Sequence, residues 1–289
     1  MDQVELVGLY WTVSGPVEVH AGREWSLFDF RERCEQAQRV GFAGLGIWHA
    51  DLEHVLETHT LAQMRQILDD NGIRIHEVEC LLDWFVEVGD ERRTASDATR
   101  DLLFEAAGVL GAHHVKVANI PGTPCELGQL TDRFGELCAD AAQRHDSLIV
   151  YEFMPFDVNV HTIDAVLAVV GGAGADNGKI AVDTWHCAKL GIPPEELRRI
   201  PSDLLGWVEL SDGQYANMAD PVDDVVNHRR LPGEGEFDIP GYIAACRDVG
   251  YGGPWGVEVL SEDLRNRPIE EIFDRAYDTT AAQFRAAVA

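Results

Sequence analysis

Positive charge is what this chain has least of. Its 289 residues carry 23 lysines and arginines against 50 aspartates and glutamates, a formal charge of −27. A surface that negative repels phosphate backbones, which argues against nucleic acids and anionic membranes as partners. Long apolar runs are missing as well: no stretch approaches the roughly 20 residues that a membrane-spanning helix needs. The opening residues, MDQVELVGLYW, have no basic segment ahead of an apolar core, so no signal peptide is expected. Six cysteines (Cys34, Cys80, Cys125, Cys138, Cys187 and Cys246) are scattered singly, with no CxxC pair. That argues against a cysteine-rich metal site and predicts reduced, mostly buried thiols in a cytoplasmic protein. No linker, low-complexity run or charge block divides the chain, so residues 1–289 are expected to form one domain. At 46% apolar and 25% charged, it has core enough to fold without a disulfide or structural metal.

What the chain does have is an alternation. Short apolar runs lie at 4–11, 44–48, 73–79, 113–119, 148–153, 179–184, 206–210 and 255–260. Near-continuous apolar character at strand length means burial on both faces, as in parallel strands flanked by helices. Between them lie helical patterns at about 26–40, 58–71, 92–110, 127–144, 161–171, 194–200, 240–249 and 264–287. Ser26, with Asp29 three residues on, reads as the cap of the first. Gly41, Gly72, Gly111 and Gly250 stand where a left-handed C-cap is wanted. Eight such units predict an α/β fold, a (β/α)8 TIM barrel of a single domain. An open doubly wound sheet is the runner-up. It would normally show a glycine-rich phosphate turn after the first strand, and YWTVSGP is not one.

Barrel enzymes place their chemistry at the C-terminal ends of the strands. There the fifth run ends in VYEF with Glu152, and the sixth in AVDTWH with Asp183 and, three residues on, His186. The seventh ends in VELSD with Glu209 and Asp212, and the eighth in GVEVL with Glu258. A lone carboxylate at a strand end is usually a cap or a surface ion pair. Four in succession around one mouth repel each other, and their burial is costly unless a cation compensates. A hard divalent ion with oxygen ligands resolves that conflict.

The strings YEFMP, AVDTWH, VELSDG, LPGEGEFDIPG and GVEVL, in this order over about residues 150–260, resemble the xylose isomerase-like sugar phosphate isomerase/epimerase superfamily. GFAGLGIWHADL and HEVECLLDWF in the first half are compatible with it. The resemblance implies one divalent metal, manganese or magnesium first, with cobalt or zinc as further choices. It implies as ligands Glu152, Asp183, Glu209 and Glu258. The third position departs from the family, which usually has histidine there and in some dehydratases glutamine. If Glu209 does not bind, either His186 enters the shell or Glu209 stays protonated.

The implied activity is a sugar or sugar-like ketone isomerase/epimerase. A proton moves next to a metal-bound carbonyl through an enediolate, with Glu152 and Glu258 as the acid–base pair. The alternative is a lyase of the 3-dehydroshikimate or inosose dehydratase kind, in which the same enolate expels a β-substituent. The substrate is then a small polyhydroxylated carbonyl compound. The family reading gives His186 and Arg229 contacts to substrate oxygens, with Arg230 competing for the second role. Lys116 is open between base or oxyanion partner and buried structural lysine. Trp11, Trp48, His49, Glu79 and Trp84 lie at or near the ends of strands one to four; aromatics there either wall a sugar-like ligand or pack the core. Glu234 is expected to shape its turn, with Gly233 and Gly235 supplying positive φ. His54 and His59 read as ordinary helix residues, and His113 and His114 as preceding the fourth strand, on the wrong side for catalysis. An abasic-site endonuclease like endonuclease IV would need a basic face and many strand-end histidines, and the chain has neither. A barrel that binds without catalysis stays open because of Glu209. Assemblies of identical chains are common in the family, so a homo-oligomer is a further open expectation.

Overall fold

The structure, a computed structural model, describes residues 4–19 and 22–287. The first strand, β1 (Leu6–Gly8), leads through a one-turn helix α1 (Tyr10–Val13) to α2 (Phe30–Val40). There follow β2 (Gly44–Trp48), α3 (His49–Leu56), α4 (Leu61–Asn71), β3 (Arg74–Leu81), α5 (Glu91–Leu110), β4 (His114–Val117) and α6 (Leu127–Ala142). After β5 (Leu148–Glu152) come α7 (Ile163–Val166), a π turn (Leu167–Gly171), β6 (Gly178–Asp183), α8 (Thr184–Lys189) and a 3-10 helix (Pro194–Arg199). The chain continues as β7 (Leu205–Leu210), α9 (Pro221–Asn227), α10 (Ile239–Asp248), β8 (Trp255–Val257), α11 (Glu262–Arg265) and α12 (Ile269–Ala286). Each strand pairs in parallel with the next, and β8 pairs with β1 to close the barrel. The expected TIM barrel is therefore the observed one.

Apolar packing falls into two zones and a third, separate cluster of Tyr10, Trp48, Cys80, Ala118 and Met154. The larger lies between sheet and helices. A smaller cluster of Val7, Leu9, Val150, Ala181 and Trp207 fills the barrel interior. Above it the inward-pointing positions turn polar, and this sets the floor of the site. Gly256 on β8 is required by that packing: a Cβ there would lie 2.7 Å from Leu9 Cδ1.

Helix starts and stops follow local chemistry, with some departures from the sequence reading. Gly41, Gly72 and Gly111 do adopt left-handed φ at the ends of α2, α4 and α5, and Thr60 and Gln63 form a capping box on α4. Ser26, however, caps nothing. Its N–H donates to Asp51 at 2.9 Å and its hydroxyl to the Ser14 carbonyl at 2.7 Å. Asp29 takes the cap, accepting from Arg31 N–H. The tertiary demand of the buried Arg33–Asp51 pair, 2.8 Å apart, outranks the local box. The expected helix at 161–171 is partly a π turn, the one at 194–200 is 3-10, and the one at 264–287 breaks at Pro268. His59 lies ahead of the Thr60 cap, outside any helix, and His114 opens β4 rather than preceding it.

Candidate metal centre and active-site pocket

Strands five to eight deliver their carboxylates to one point. Glu152 and Asp183 are the last residues of β5 and β6, Glu209 is the penultimate residue of β7, and Glu258 follows β8 directly. One oxygen of each lies within 4.8 Å of the others, and all four side chains are buried. Glu152, Asp183 and His186 form an overlapping three-residue set of the same kind. His186 Nε2 stands 3.2 Å from Glu152 Oε1 and 3.7 Å from Asp183 Oδ2.

Two further carboxylates, Glu77 and Glu79 on β3, complete the floor and are fully buried. The strand-end reading reaches Glu79 but not Glu77. The signal was available: in IRIHEVE the two glutamates are two apart, so both face the barrel interior. Glu77 accepts from His114 Nε2 at 2.8 Å.

Six carboxylates thus meet two fixed cations. Arg229 Nη1 donates to Asp183 Oδ2 at 2.7 Å and to Glu258 Oε2 at 3.1 Å, and its guanidinium lies 5.0 Å above the Trp185 ring. Lys116 Nζ is 2.8 Å from Glu79, 3.0 Å from Glu209 and 2.9 Å from Glu258. The formal excess of four negative charges is large for a buried site. Glu209 Oε2 has no hydrogen-bond donor, and Glu152 Oε1 has only His186 at its edge. Bare buried carboxylate oxygens are stabilised by a hard cation. The cluster fits a divalent metal ion, and Glu152, Asp183, Glu209 and Glu258 are the set of four whose oxygens could hold it.

The electrostatics divide the carboxylates. Burial pushes all of them up, and the cations decide which stay low. Lys116 and His114 hold Glu77 at about 2. Lys116 and His186 keep Glu152 below its ordinary value, and Arg229 does so for Asp183. At Glu209 and Glu79 burial prevails over Lys116, and both sit well above the usual carboxylate range; Glu258 is also raised. Burial disfavours the Lys116 ammonium too, but Glu152, Glu209 and Glu258 outweigh it and hold it charged.

Over this centre lies a cavity of about 420 Å³. Lys116, Glu152, His186, Arg229 and Glu258 line its floor. Trp11, Trp48, His49, Met154 and Phe156 form one wall, and Val222, Val225 and Val226 of α9 form another. The Trp11 and Trp48 rings are 5.1 Å apart. Of the expected site residues, Trp11, Trp48, His49, Glu79, Lys116, Glu152, His186, Arg229 and Glu258 line this cavity, Asp183 and Glu209 do not, and α9 supplies an apolar side. Trp84 does not line it and packs in the core. A larger groove of about 600 Å³ runs beside it, lined by His228, Arg230, Asp263 and Arg275 among others, and holds none of the centre's carboxylates.

Asp212, offered by the same strand end as Glu209, has a different job. Its carboxylate accepts from the N–H groups of Gly213, Gly233, Gly235 and Phe237 and so folds the loop after Arg229. Gly233 has φ +89°, as expected, but Gly235 does not have positive φ. Glycine is needed there because a Cβ would come within 2.2 Å of Asp212 Oδ1. Glu234 pairs with Arg275. Arg230 turns away from the cavity to the Glu234 carbonyl, which leaves Arg229 as the arginine of the site.

A family model described as xylose isomerase-like TIM barrel matches residues 34–281. The chain belongs to this family. A 3-dehydroshikimate dehydratase of Pseudomonas putida is 26% identical over 241 residues, 83% of this chain and 37% of the relative. An inosose isomerase of Bacillus velezensis is 23% identical over 145 residues, about half of each chain. A solved structure described as the IOLI protein with a binding zinc atom superposes with TM-score 0.82 at 17% identity, covering 98% of this chain and 99% of the other. The xylose isomerase-like barrel described here thus spans little more than a third of the length of the dehydratase it matches. Among its described residues, no helix is long and apolar enough to cross a membrane.

Proposed function

We propose that this xylose isomerase-like barrel is a divalent-metal-dependent isomerase or epimerase, which moves a proton next to the carbonyl of a small polyhydroxylated compound. One observation carries the reading: Glu152 and Glu258 reach one 420 Å³ cavity from β5 and β8, with ligand oxygens within 4.8 Å of each other. The all-oxygen donor set favours manganese or magnesium over zinc. A divalent ion held by these carboxylates supplies Lewis-acid polarisation of a substrate carbonyl. One glutamate takes the proton from the carbon beside that carbonyl, and the other returns it to the opposite face or to the neighbouring carbon. Positioned acid–base groups of this kind contribute roughly 10²–10⁴-fold. His186 and Arg229 contact the substrate's oxygens, and Lys116 offsets the negative charge of the floor. Trp11, Trp48, His49 and the valines of α9 exclude water around its carbon skeleton. The six unpaired thiols, five of them buried, support a cytoplasmic setting, and residues 1–289 are read as one barrel domain.

A dehydratase is the second reading. It is favoured by the extent of the likeness: the 3-dehydroshikimate dehydratase aligns over 83% of the chain, the inosose isomerase over 50%. Here the same proton is removed, and a hydroxyl one carbon further leaves as water, protonated by the second acid. Incubation with Mn²⁺ in D₂O over ketoses, inososes and 3-dehydroshikimate separates the two. Deuterium entering a substrate or its isomer without loss of water supports the first reading. Loss of water supports the second. No exchange and no dehydration across the set removes both.

A further inference from the structure

Lys116 lies on β4, but its ammonium joins carboxylates of three other strands: Glu79, Glu209 and Glu258, all within 3.0 Å. Most of these acids have a second partner. Arg229 serves Asp183 and Glu258, His114 serves Glu77 and His186 serves Glu152. Among the described residues, Glu79 and Glu209 meet no other cation, and of these two only Glu209 stands in one set with Glu152, Asp183 and Glu258. The second donor to Glu209 is the neutral Trp207 indole N–H, at 2.9 Å, and both donors take the same oxygen, Oε1. Oε2 is buried without a donor.

We propose that Lys116 is a positioning residue and the internal counter-ion of Glu209. By holding Oε1 together with the Trp207 indole, it fixes the Glu209 side chain and leaves Oε2 for a divalent cation. Only that last step rests on the metal reading; the pairing stands without it. Two charges in direct contact inside a low-dielectric core behave as a unit. Removing one strands the other, whereas removing both relieves that part of the loss and leaves only the share of Glu79 and Glu258. A second consequence has the opposite sign. Lys116 also repels any incoming cation, so its loss weakens the empty fold but strengthens cation binding. A lysine that merely filled space would, on removal, weaken both.

The test uses the full chain with a chelator and then with Mn²⁺ alone. In chelator, Lys116→Met is expected to lower the melting temperature by on the order of 5–10 °C. Adding Glu209→Gln to it recovers most of that loss, while adding Glu152→Gln, whose carboxylate is 3.8 Å from Nζ and has His186, recovers less. Calorimetric titration is expected to show Mn²⁺ binding to Lys116→Met about tenfold or more tighter than to the wild type. A Lys116→Met/Glu209→Gln protein that melts no higher than Lys116→Met overturns the proposal, as does equal recovery from Glu79→Gln or Glu152→Gln, or weaker Mn²⁺ binding. If Lys116→Met does not fold by itself, soluble folding of the double variant supports the pair and its failure overturns it. Should Mn²⁺ bind none of these proteins, the metal reading and the role of Oε2 fall together, and the melting comparison still decides the pairing.

Discussion

Arg229 and Asp183 are 46 residues apart in the chain, and Nη1 donates to Oδ2 across 2.7 Å in a fully buried contact. Asp183 meanwhile accepts from the Trp185 N–H with its other oxygen, at 2.6 Å, and so caps α8. One carboxylate therefore ties the sixth strand, the helix after it and the loop after α9 to the centre. The same Nη1 also donates to Glu258, while Nε donates to the Val225 carbonyl at 3.3 Å and the guanidinium plane lies over the Trp185 ring, an anchoring that a lysine does not reproduce.

Arg229→Lys is accordingly expected to lower kcat/KM by about 10²-fold, the scale for losing one well-placed donor. Steady-state kinetics on whichever substrate the D₂O screen identifies would check this. Activity within threefold of wild type would show that the guanidinium geometry is not used.

Glu152→Gln and Glu258→Gln keep shape and remove the acid–base function. Each is expected to cut solvent-deuterium exchange by roughly 10²–10⁴-fold, read by mass spectrometry of recovered substrate. Full exchange in either variant would remove that residue from proton transfer.

A divalent ion that binds only the folded barrel must stabilise it by mass action. At a free Mn²⁺ concentration a hundred times its dissociation constant, the gain is about 2.7 kcal/mol. For a chain of this size that is a rise of several degrees in melting temperature, reversed by chelator. Asp183→Asn, which weakens the donor set, is expected to abolish the Mn²⁺-dependent rise. A rise that survives in this variant would place the ion elsewhere.

At the opposite end of the barrel interior, His76 and His113 are pushed down by burial, to about 4 and about 3. His114 acts in the same direction on both; Arg74 adds to it at His76, and Glu77 opposes it at His113. The unfolded chain takes up these protons near pH 6.5, before the folded one does. Their neutral packing is therefore undisturbed above pH 6.5, and stability falls as the pH drops from there toward 4. Urea midpoints between pH 8 and 5 should show the decline, and His76→Phe or His113→Phe should flatten it. An unchanged slope in both variants would assign the acid sensitivity to other groups.

Much of the centre is legible along the chain, because strand-end position and carboxylate identity are both local properties. Glu152, Asp183, Glu209 and Glu258 could be placed from four short motifs, and His186 from its three-residue offset. Glu77 and Glu79 were recoverable from the alternation in β3. What could not be read is contact through the barrel. Lys116 meets Glu209 across 93 residues and Glu258 across 142, and no periodicity records such a distance. The short helices α1, α3, α8 and α9 were also invisible, since one or two turns carry too little pattern to rise above loop composition. The Ser26 box was legible and misleading, because the buried Arg33–Asp51 pair made a stronger claim on the same residues.

The order of apolar runs, their spacing and the glycines between them were enough to settle an eight-fold parallel barrel and which four acids stand at its mouth, since burial on both faces and chain reversal are written into neighbouring residues. Closure of the barrel decided the rest. It alone brought Lys116 and Arg229 into van der Waals reach of acids from distant strands, and it is across such gaps that buried charges are balanced or left bare.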